Sequence, residues 1–206
     1  MRSLHRRLLK ATLVIAAVAG PVPVWAQAVP EGNLWRQGTT FGVFAGAAAG
    51  QSNTGGLVGG AVGWEISPIV GLEGRVSWLD RRHGADAFAA SLTVAGTWAN
   101  PTALKPFVEA GVGLYRTSFD LSRGAIPDFY RRRMMNTGLA GAFEPGTFTD
   151  PSFILGGGAN VFLGRHVAVR PAANVTFVRR DSSGFALATA QVHLVYHFED
   201  HPVTPR

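Results

Sequence analysis

The chain has 206 residues, which suits one domain, and only 16% of them are charged, against about 25% in soluble domains. So few charges leave little polar surface for a domain fully covered by water. The absence of cysteine excludes a disulfide framework and a thiolate metal site. The formal net charge of +6 includes four cations of the amino-terminal segment described next, so the remainder carries about +2, which gives no support for a nucleic-acid-binding groove.

Residues 1–26 have the features of a signal peptide that is removed on export. A positively charged start precedes a short apolar segment, Ala11–Gly20, and two prolines follow it. The apolar segment is about half the ~20 residues that cross a bilayer, which disfavours an uncleaved anchor. The small-residue pattern favours cleavage after Ala26, with cleavage after Ala28 as the alternative, and leaves residues 27–38 as a lead-in. The positive residues are Arg2, Arg6, Arg7 and Lys10.

From Thr39 onward, apolar-rich stretches alternate with clusters of Gly, Pro, Asn, Asp and Ser. This rhythm predicts strands that are joined by turns. No segment has a convincing helical period. The predicted strands are 39–49, 56–67, 69–80, 86–99, 105–119, 152–163, 166–179 and 185–198.

The predicted strands have one apolar and one polar face, as expected of strands that lie between two different solvents. In the third strand Val76 and Trp78 share one face, and Glu73 and Arg75 share the other. A soluble sandwich also alternates, but its polar face normally carries many lysines, and the sequence after residue 26 has only Lys105, in a predicted turn. Sparse charges of both signs suit instead the lumen of a narrow barrel. The predicted lumen residues are Glu65, Glu73, Arg75, Glu109, Arg170, Asn174, Gln191 and His193.

Aromatic residues concentrate near the two ends of the apolar faces, where amphipathic rings sit at membrane interfaces. Short connections lie on one side and longer ones on the other, among them Leu121–Pro151, which is the usual asymmetry of membrane barrels. These features predict an all-β fold, an eight-stranded antiparallel up-and-down transmembrane β-barrel over residues 39–198, with a short tail at 199–206. The predicted belt residues are Trp64, Trp98, Tyr196 and Phe198 on the short-turn side, and Trp78, Phe88, Phe153 and Phe177 on the other.

This pattern resembles the eight-stranded outer-membrane barrels of the OmpA, OmpX and opacity-protein kind. The resemblance covers residues 39–198 and is carried by Pro106–Tyr115, Ile154–Leu163 and the aromatic-ended last strand, His193–Phe198. It implies a location in the outer membrane of a Gram-negative bacterium, contact with outer-membrane lipid, and recognition of the last strand by the barrel-insertion machinery. Two departures are the tail after the last strand and Pro171, which would remove a ladder hydrogen bond and predicts a bulge.

The inward charges admit two interpretations. They are paired charges that plug the lumen, since small barrels are normally filled by side chains, or they rearrange as the gate of a narrow pore for small solutes. His193 and His197 share the inward face, but a histidine pair without a nearby carboxylate or cysteine indicates polar filling rather than a metal site. No Ser/His/acid set has convincing spacing, so a lipid-A-modifying enzyme is disfavoured, and we predict no catalytic residue and no cofactor. A soluble periplasmic ligand-binding barrel is the alternative outside the membrane.

The longest loop is the most distinctive segment. Arg131, Arg132 and Arg133 follow Phe129 and Tyr130, two aromatics that we expect to be exposed. Guanidinium groups bind phosphates in a bidentate fashion, so the arginine cluster predicts contact with lipopolysaccharide. A solvated basic loop without a ligand is the alternative. The predicted function is a structural or surface role for a monomeric barrel, in envelope integrity, surface interaction or adhesion.

Overall fold

The structure, a computed structural model, describes residues 38–50, 53–81, 85–98, 102–119, 128–136, 146–164, 166–180 and 183–199. The predicted signal peptide, the lead-in before residue 38 and the tail after residue 199 lie outside these residues. The described chain forms eight strands that close into one antiparallel barrel, in which each strand pairs with its sequence neighbours and β1 pairs with β8. This confirms the predicted fold. The elements are β1 (Gly38–Gly50), β2 (Asn53–Ser67), β3 (Val70–Asp80), β4 (Ala85–Thr97), β5 (Leu104–Phe119), α1 (Asp128–Asn136), β6 (Gly146–Phe162), β7 (Val167–Arg180) and β8 (Ser183–Glu199).

The register of the strands sets their tilt. Following paired residues once around the barrel from Gly38 leads back to β1 at Ala48, a shift of ten residues. Eight strands with this shift tilt by about 40° from the barrel axis, as in other small membrane barrels. β1 begins and β8 ends at the same end of the barrel, which we call the terminal end. The opposite end, where α1 lies between β5 and β6, is called the loop end.

The outer wall of the barrel is apolar, and its height fits a bilayer. Side chains along the strands alternate between the lumen and the outside, and the outward set contains many large apolar residues that are about half exposed. Along β4 and the residue that follows it, every outward side chain from Phe88 to Trp98 is apolar. This ten-residue interval rises about 25 Å along the axis at a tilt of about 40°, which matches the apolar band of membrane barrels.

The helix α1 contradicts the expectation that no segment is helical. It begins at Asp128, whose negative charge is favourable at a helix amino terminus, and a 3.6 Å salt bridge joins Asp128 to Arg131 one turn later. In the sequence, Pro127 lies just before the helix and Asn136 lies at its end. Both residue types mark helix boundaries, so the sequence contains local signals for this helix. Among the described residues, no helix is both long and apolar enough to cross a bilayer.

Two strands, β5 and β6, begin earlier than predicted. β6 begins at Gly146, so the last residues of the predicted loop Leu121–Pro151 belong to a strand. Lys105, which was expected in a turn, lies in β5 and is buried in the lumen, with its ammonium group 6.0 Å from the centre of the Phe162 ring. The register of β5 turns Lys105 inward, so the outer wall keeps its apolar character at this level.

Pro171 produces no bulge, which corrects the prediction for the seventh strand. β7 keeps its register with β8 across the Pro171–Val192 pair, and the pairing of β7 with β6 is interrupted there without any shift. Proline lacks one N–H group, and the loss of a single ladder bond does not displace a strand that is held on its other edge. The register shift of the described sheet lies instead in β2, between Glu65 and Ser67.

Candidate functional site

Four charged side chains form one connected network in the middle of the lumen. Arg75 donates hydrogen bonds to both carboxylate oxygens of Glu109, with 2.7 Å between Nη1 and Oε1, and a further one to Glu73. Arg170 donates to the second oxygen of Glu73, and to Asn160 Oδ1 at 2.6 Å. All four are buried, and two carboxylates balance two guanidinium groups. The network is therefore a neutral, hydrogen-bonded unit, the form in which charges are tolerated away from water.

Glycines on the neighbouring strands make room for the inward side chains. Phe44 pairs with Gly59 on β2, and Glu109 pairs with Gly156 on β6. A Cβ atom at Gly59 would collide with the Phe44 ring, and one at Gly156 would collide with the side-chain amide of Asn174. At these positions, glycine provides the space that the lumen side chains occupy.

A fully buried histidine and a small cavity lie beside the charge network. His193 stacks on Phe44 with 4.5 Å between ring centroids, and within the described residues neither of its ring nitrogens has a hydrogen-bond partner. A cavity of about 60 Å³ continues toward the loop end, and its polar lining includes Arg75, Asn174 and Gln191. Such a volume has room for a few water molecules and is too small for a metabolite.

The half of the lumen toward the loop end contains a cluster of large apolar side chains, which sequence reasoning missed. Leu57, Leu79 and Leu187 pack there with Tyr115, whose hydroxyl accepts a 2.7 Å hydrogen bond from Arg81. These leucines share the strand parity of the inward polar residues, so parity alone could have placed them in the lumen. The lumen therefore has a charged layer in the middle and, below the loop end, a layer that we call apolar, although Arg81 and Asp150 are also buried at its level.

The helix α1 covers the loop end with two aromatic side chains. Phe129 and Tyr130 are 5% and 2% exposed and pack in a cluster with Phe119, Phe148 and Phe185. The Tyr130 ring lies 4.8 Å from Phe119 and 5.2 Å from Phe148, and the Phe129 ring lies 5.5 Å from Phe185. The expectation that Phe129 and Tyr130 are exposed is wrong, because a barrel mouth lined with aromatic rings buries them.

Two arginines of α1 face solvent. The Arg131 side chain is 52% exposed, and Arg132 is exposed as well. Arg133 follows them in the helix, but its side chain lies outside the described part of the structure. Because Phe129 and Tyr130 anchor the helix to the barrel, the two described arginines are held above the mouth.

The predicted lumen residues all lie on the inward faces of their strands. Four of them form the charge network, and Asn174 and Gln191 line the cavity next to it. Glu65 is half-buried nearer the terminal end, where it pairs with Gly71. In the part of the chain that the structure describes, no three His, Cys, Asp or Glu side chains are placed to hold a metal ion. The inward residues are Glu65, Glu73, Arg75, Glu109, Arg170, Asn174, Gln191 and His193.

The predicted belt aromatics lie on the outer wall, where they are 43–58% exposed. Near the loop end Trp78 pairs with Phe88, and Phe153 pairs with Phe177. At the terminal end the rings of Tyr196 and Phe198 lie 4.7 Å apart. The loop-end group is Trp78, Phe88, Phe153 and Phe177, and the terminal-end group is Trp64, Trp98, Tyr196 and Phe198.

The barrel has an apolar outer wall between two groups of aromatic residues, and its lumen is filled. These are the features of a small transmembrane barrel. The model of a domain family described as the outer membrane protein beta-barrel domain matches residues 12–198. The chain belongs to this family. No curated protein sequence matches the chain.

Solved structures share the fold of this outer-membrane barrel at low sequence identity. The crystal structure of Neisserial surface protein A superposes with a TM-score of 0.61 and 11% identity, covering 78% of this chain and 97% of that chain. The amino-terminal β-barrel domain of Pseudomonas aeruginosa OprF superposes with a TM-score of 0.52 and 13% identity, covering 78% of this chain and 100% of that chain. At such identities the likeness establishes the fold alone.

Proposed function

We propose that this protein is a structural surface barrel of the outer membrane, whose loop end faces the outside of the cell and whose α1 arginines bind lipopolysaccharide. The observation that carries the proposal is the division of α1 into two sides. Phe129 and Tyr130 are buried in the barrel mouth, whereas Arg131 and Arg132 face solvent. An anchored helix presents its cations in a defined place, which a freely solvated loop does not do.

The orientation follows from the lengths of the connections. At the terminal end the connections after β2, β4 and β6 are short. The loop end has short connections after β1, β3 and β7 as well, so the orientation rests on the long connection that contains α1. Membrane barrels have short periplasmic turns and longer outside loops. In this orientation α1 meets the anionic outer leaflet, where guanidinium groups bind phosphates through paired hydrogen bonds.

The filled lumen supports a structural role rather than conduction. The neutral charge network, the apolar layer and the aromatic cluster follow one another along the axis. A narrow gated pore would require Arg75 to leave Glu109 and α1 to leave the mouth. Purified wild-type protein in planar bilayers should therefore show no steady conductance, and a steady conductance would favour the pore.

Two other functions find less support. A soluble periplasmic barrel would need a cover for the half-exposed apolar side chains around the whole outer wall. A catalytic role would need a partner for His193, whose ring nitrogens have none among the described residues.

Replacing the three loop arginines tests the lipopolysaccharide contact. The variant with Arg131, Arg132 and Arg133 changed to Gln should fold normally, because all three lie in a connection outside the strands, and such connections contribute little to barrel closure. It should bind lipopolysaccharide-containing vesicles more weakly than wild type, and the difference should shrink at high salt. A variant with the same residues changed to Lys keeps the charge and loses the bidentate geometry, so its affinity should lie between the two. Wild-type affinity in the Gln variant would show that α1 makes no such contact.

Protease treatment tests the orientation independently. In intact cells an added protease should reach the connection between β5 and β6, and the fragments should be visible after boiling. If that connection is cleaved only in lysed cells, the loop end faces the periplasm and the proposal fails.

A further inference from the structure

The outer wall carries two outward arginines at the loop end. On β5 the outward apolar series ends at Leu114, and the next outward residue is Arg116. On β7 the series ends at Phe177, and the next outward residue is Arg179. Both arginines are exposed, and neither belongs to the lumen or to α1.

The register places these two arginines at the same height. Arg116 pairs with Thr149 on β6, and Arg179 follows Val178, which pairs with Ser152. Arg179 therefore lies opposite Pro151 on β6, two residues closer to the terminal end than Thr149, which lies opposite Arg116. A row of paired residues followed from β5 to β7 rises by about 2.5 residues toward the loop end, because the total shift around the barrel is ten residues over eight strands. The two differences cancel, and two strand spacings leave the Cα atoms about 10–13 Å apart.

Both arginines lie just beyond the loop-end belt. Arg116 pairs directly with Phe88, and Arg179 lies two residues beyond Phe177 on the same strand. Interfacial aromatic rings mark the level of the lipid headgroups. Long cationic side chains that emerge there extend toward the headgroup phosphates, so each guanidinium group is placed at the level where those phosphates lie.

We propose that Arg116 and Arg179 form a binding site on the outer wall for the two phosphates of a lipid A headgroup. This inference rests on the orientation in the proposed function, because that orientation makes the outer leaflet the source of the phosphates. A disaccharide that carries a phosphate at each end suits two guanidinium groups separated by two strands, whereas a phospholipid offers a single phosphodiester. β6 presents the neutral residues Thr149 and Pro151 between them, so no like or opposite charge intervenes.

Nearby carboxylates limit the site on one side. Asp86 is exposed on β4 and pairs with Ser118, which places it diagonally from Arg116. Asp80 pairs with Asp86 from β3. The wall is therefore acidic over β3 and β4 and basic over β5 to β7. Asp86→Asn should strengthen phosphate binding, because it removes a carboxylate that lies diagonally across the strand pair from Arg116.

Native mass spectrometry of the folded full-length mature barrel in detergent tests the site. The probes are bisphosphoryl lipid A, monophosphoryl lipid A and phosphatidylglycerol. The variant Arg116→Gln/Arg179→Gln should bind bisphosphoryl lipid A at least about tenfold more weakly than wild type, since each charge-assisted contact contributes about a factor of ten. Wild type should prefer bisphosphoryl over monophosphoryl lipid A, and the double variant should lose that preference. Gel mobility before and after boiling verifies that each variant is folded.

The matched control is Thr54→Gln, which changes an exposed outward residue at the loop end of β2, away from Arg116, Arg179 and α1. It should keep wild-type affinity for lipid A. Wild-type affinity in the Arg116→Gln/Arg179→Gln variant would overturn the wall site and leave the α1 contact standing. An equal, arginine-dependent affinity for phosphatidylglycerol would overturn the assignment to lipid A. Loss of lipid A binding in the wall variant alone supports the site even if the α1 contact fails its own test.

Discussion

Val192 lies in the middle of the outer wall, and replacing it with arginine tests whether this wall lies in hydrocarbon. Its side chain is 49% exposed, and its cross-strand neighbours are Ala45 and Pro171. Six residues separate it from Ala186 at the level of the loop-end belt, and six separate it from Phe198 in the terminal-end belt. At about 3.3 Å per residue and a tilt of about 40°, each interval corresponds to a depth of about 15 Å.

The expected cost of the arginine depends on this depth. A charge on the lipid face costs about 2–4 kcal/mol at the midplane and about 0–1 kcal/mol near the interface. Val192→Arg should therefore lower the free energy of unfolding by about 2–4 kcal/mol, and Ala186→Arg on the same face of the same strand by at most about 1 kcal/mol. Urea titration of the barrel folded in lipid vesicles, followed by gel mobility, measures both. Val192→Ala reports the part that comes from the lost side chain.

Equal losses for the two arginine variants would refute the reasoning, because residues 186 and 192 would then share one solvent. A loss for Val192→Arg no larger than that for Val192→Ala would also refute it. In that case the charge itself would have no cost, and the outer wall would not lie in a membrane.

Three further predictions address the lumen, the helix and the membrane location. Glu109→Gln should lower the free energy of unfolding in vesicles by about 3–5 kcal/mol, because Arg75 loses its bidentate partner. The same change at the half-buried Glu65 should have a much smaller effect. Similar losses for the two variants would mean that the network does not hold the barrel together. Phe129→Ala should leave the barrel folded but increase the rate at which protease cleaves between β5 and β6, and an unchanged rate would show that the ring does not anchor α1. The protein should remain with outer membranes after carbonate and high-salt washing and should change its gel mobility on boiling. Recovery in the soluble periplasmic fraction would contradict the membrane location.

The strand number and the two faces of the wall were predictable from the sequence because both are local properties. A strand alternates its side chains every two residues, so Trp78 and Arg75 fall on opposite faces whatever the rest of the chain does. The bilayer imposes a second local rule, since apolar stretches of similar length must end near aromatic rings. These rules also assigned the inward residues, without indicating which of them meet.

Only the closed barrel decided the contacts inside it. Arg75 and Glu109 are 34 residues apart in the sequence, and Glu73 and Arg170 are 97 apart. Their meeting depends on the register summed over every strand pair, because a change of one residue in any pair would move the partners to different heights. The burial of Phe129 is of the same kind. An aromatic residue in a loop is buried only where the folded chain provides a cavity for it, and that cavity exists after strands distant in sequence have closed into a ring.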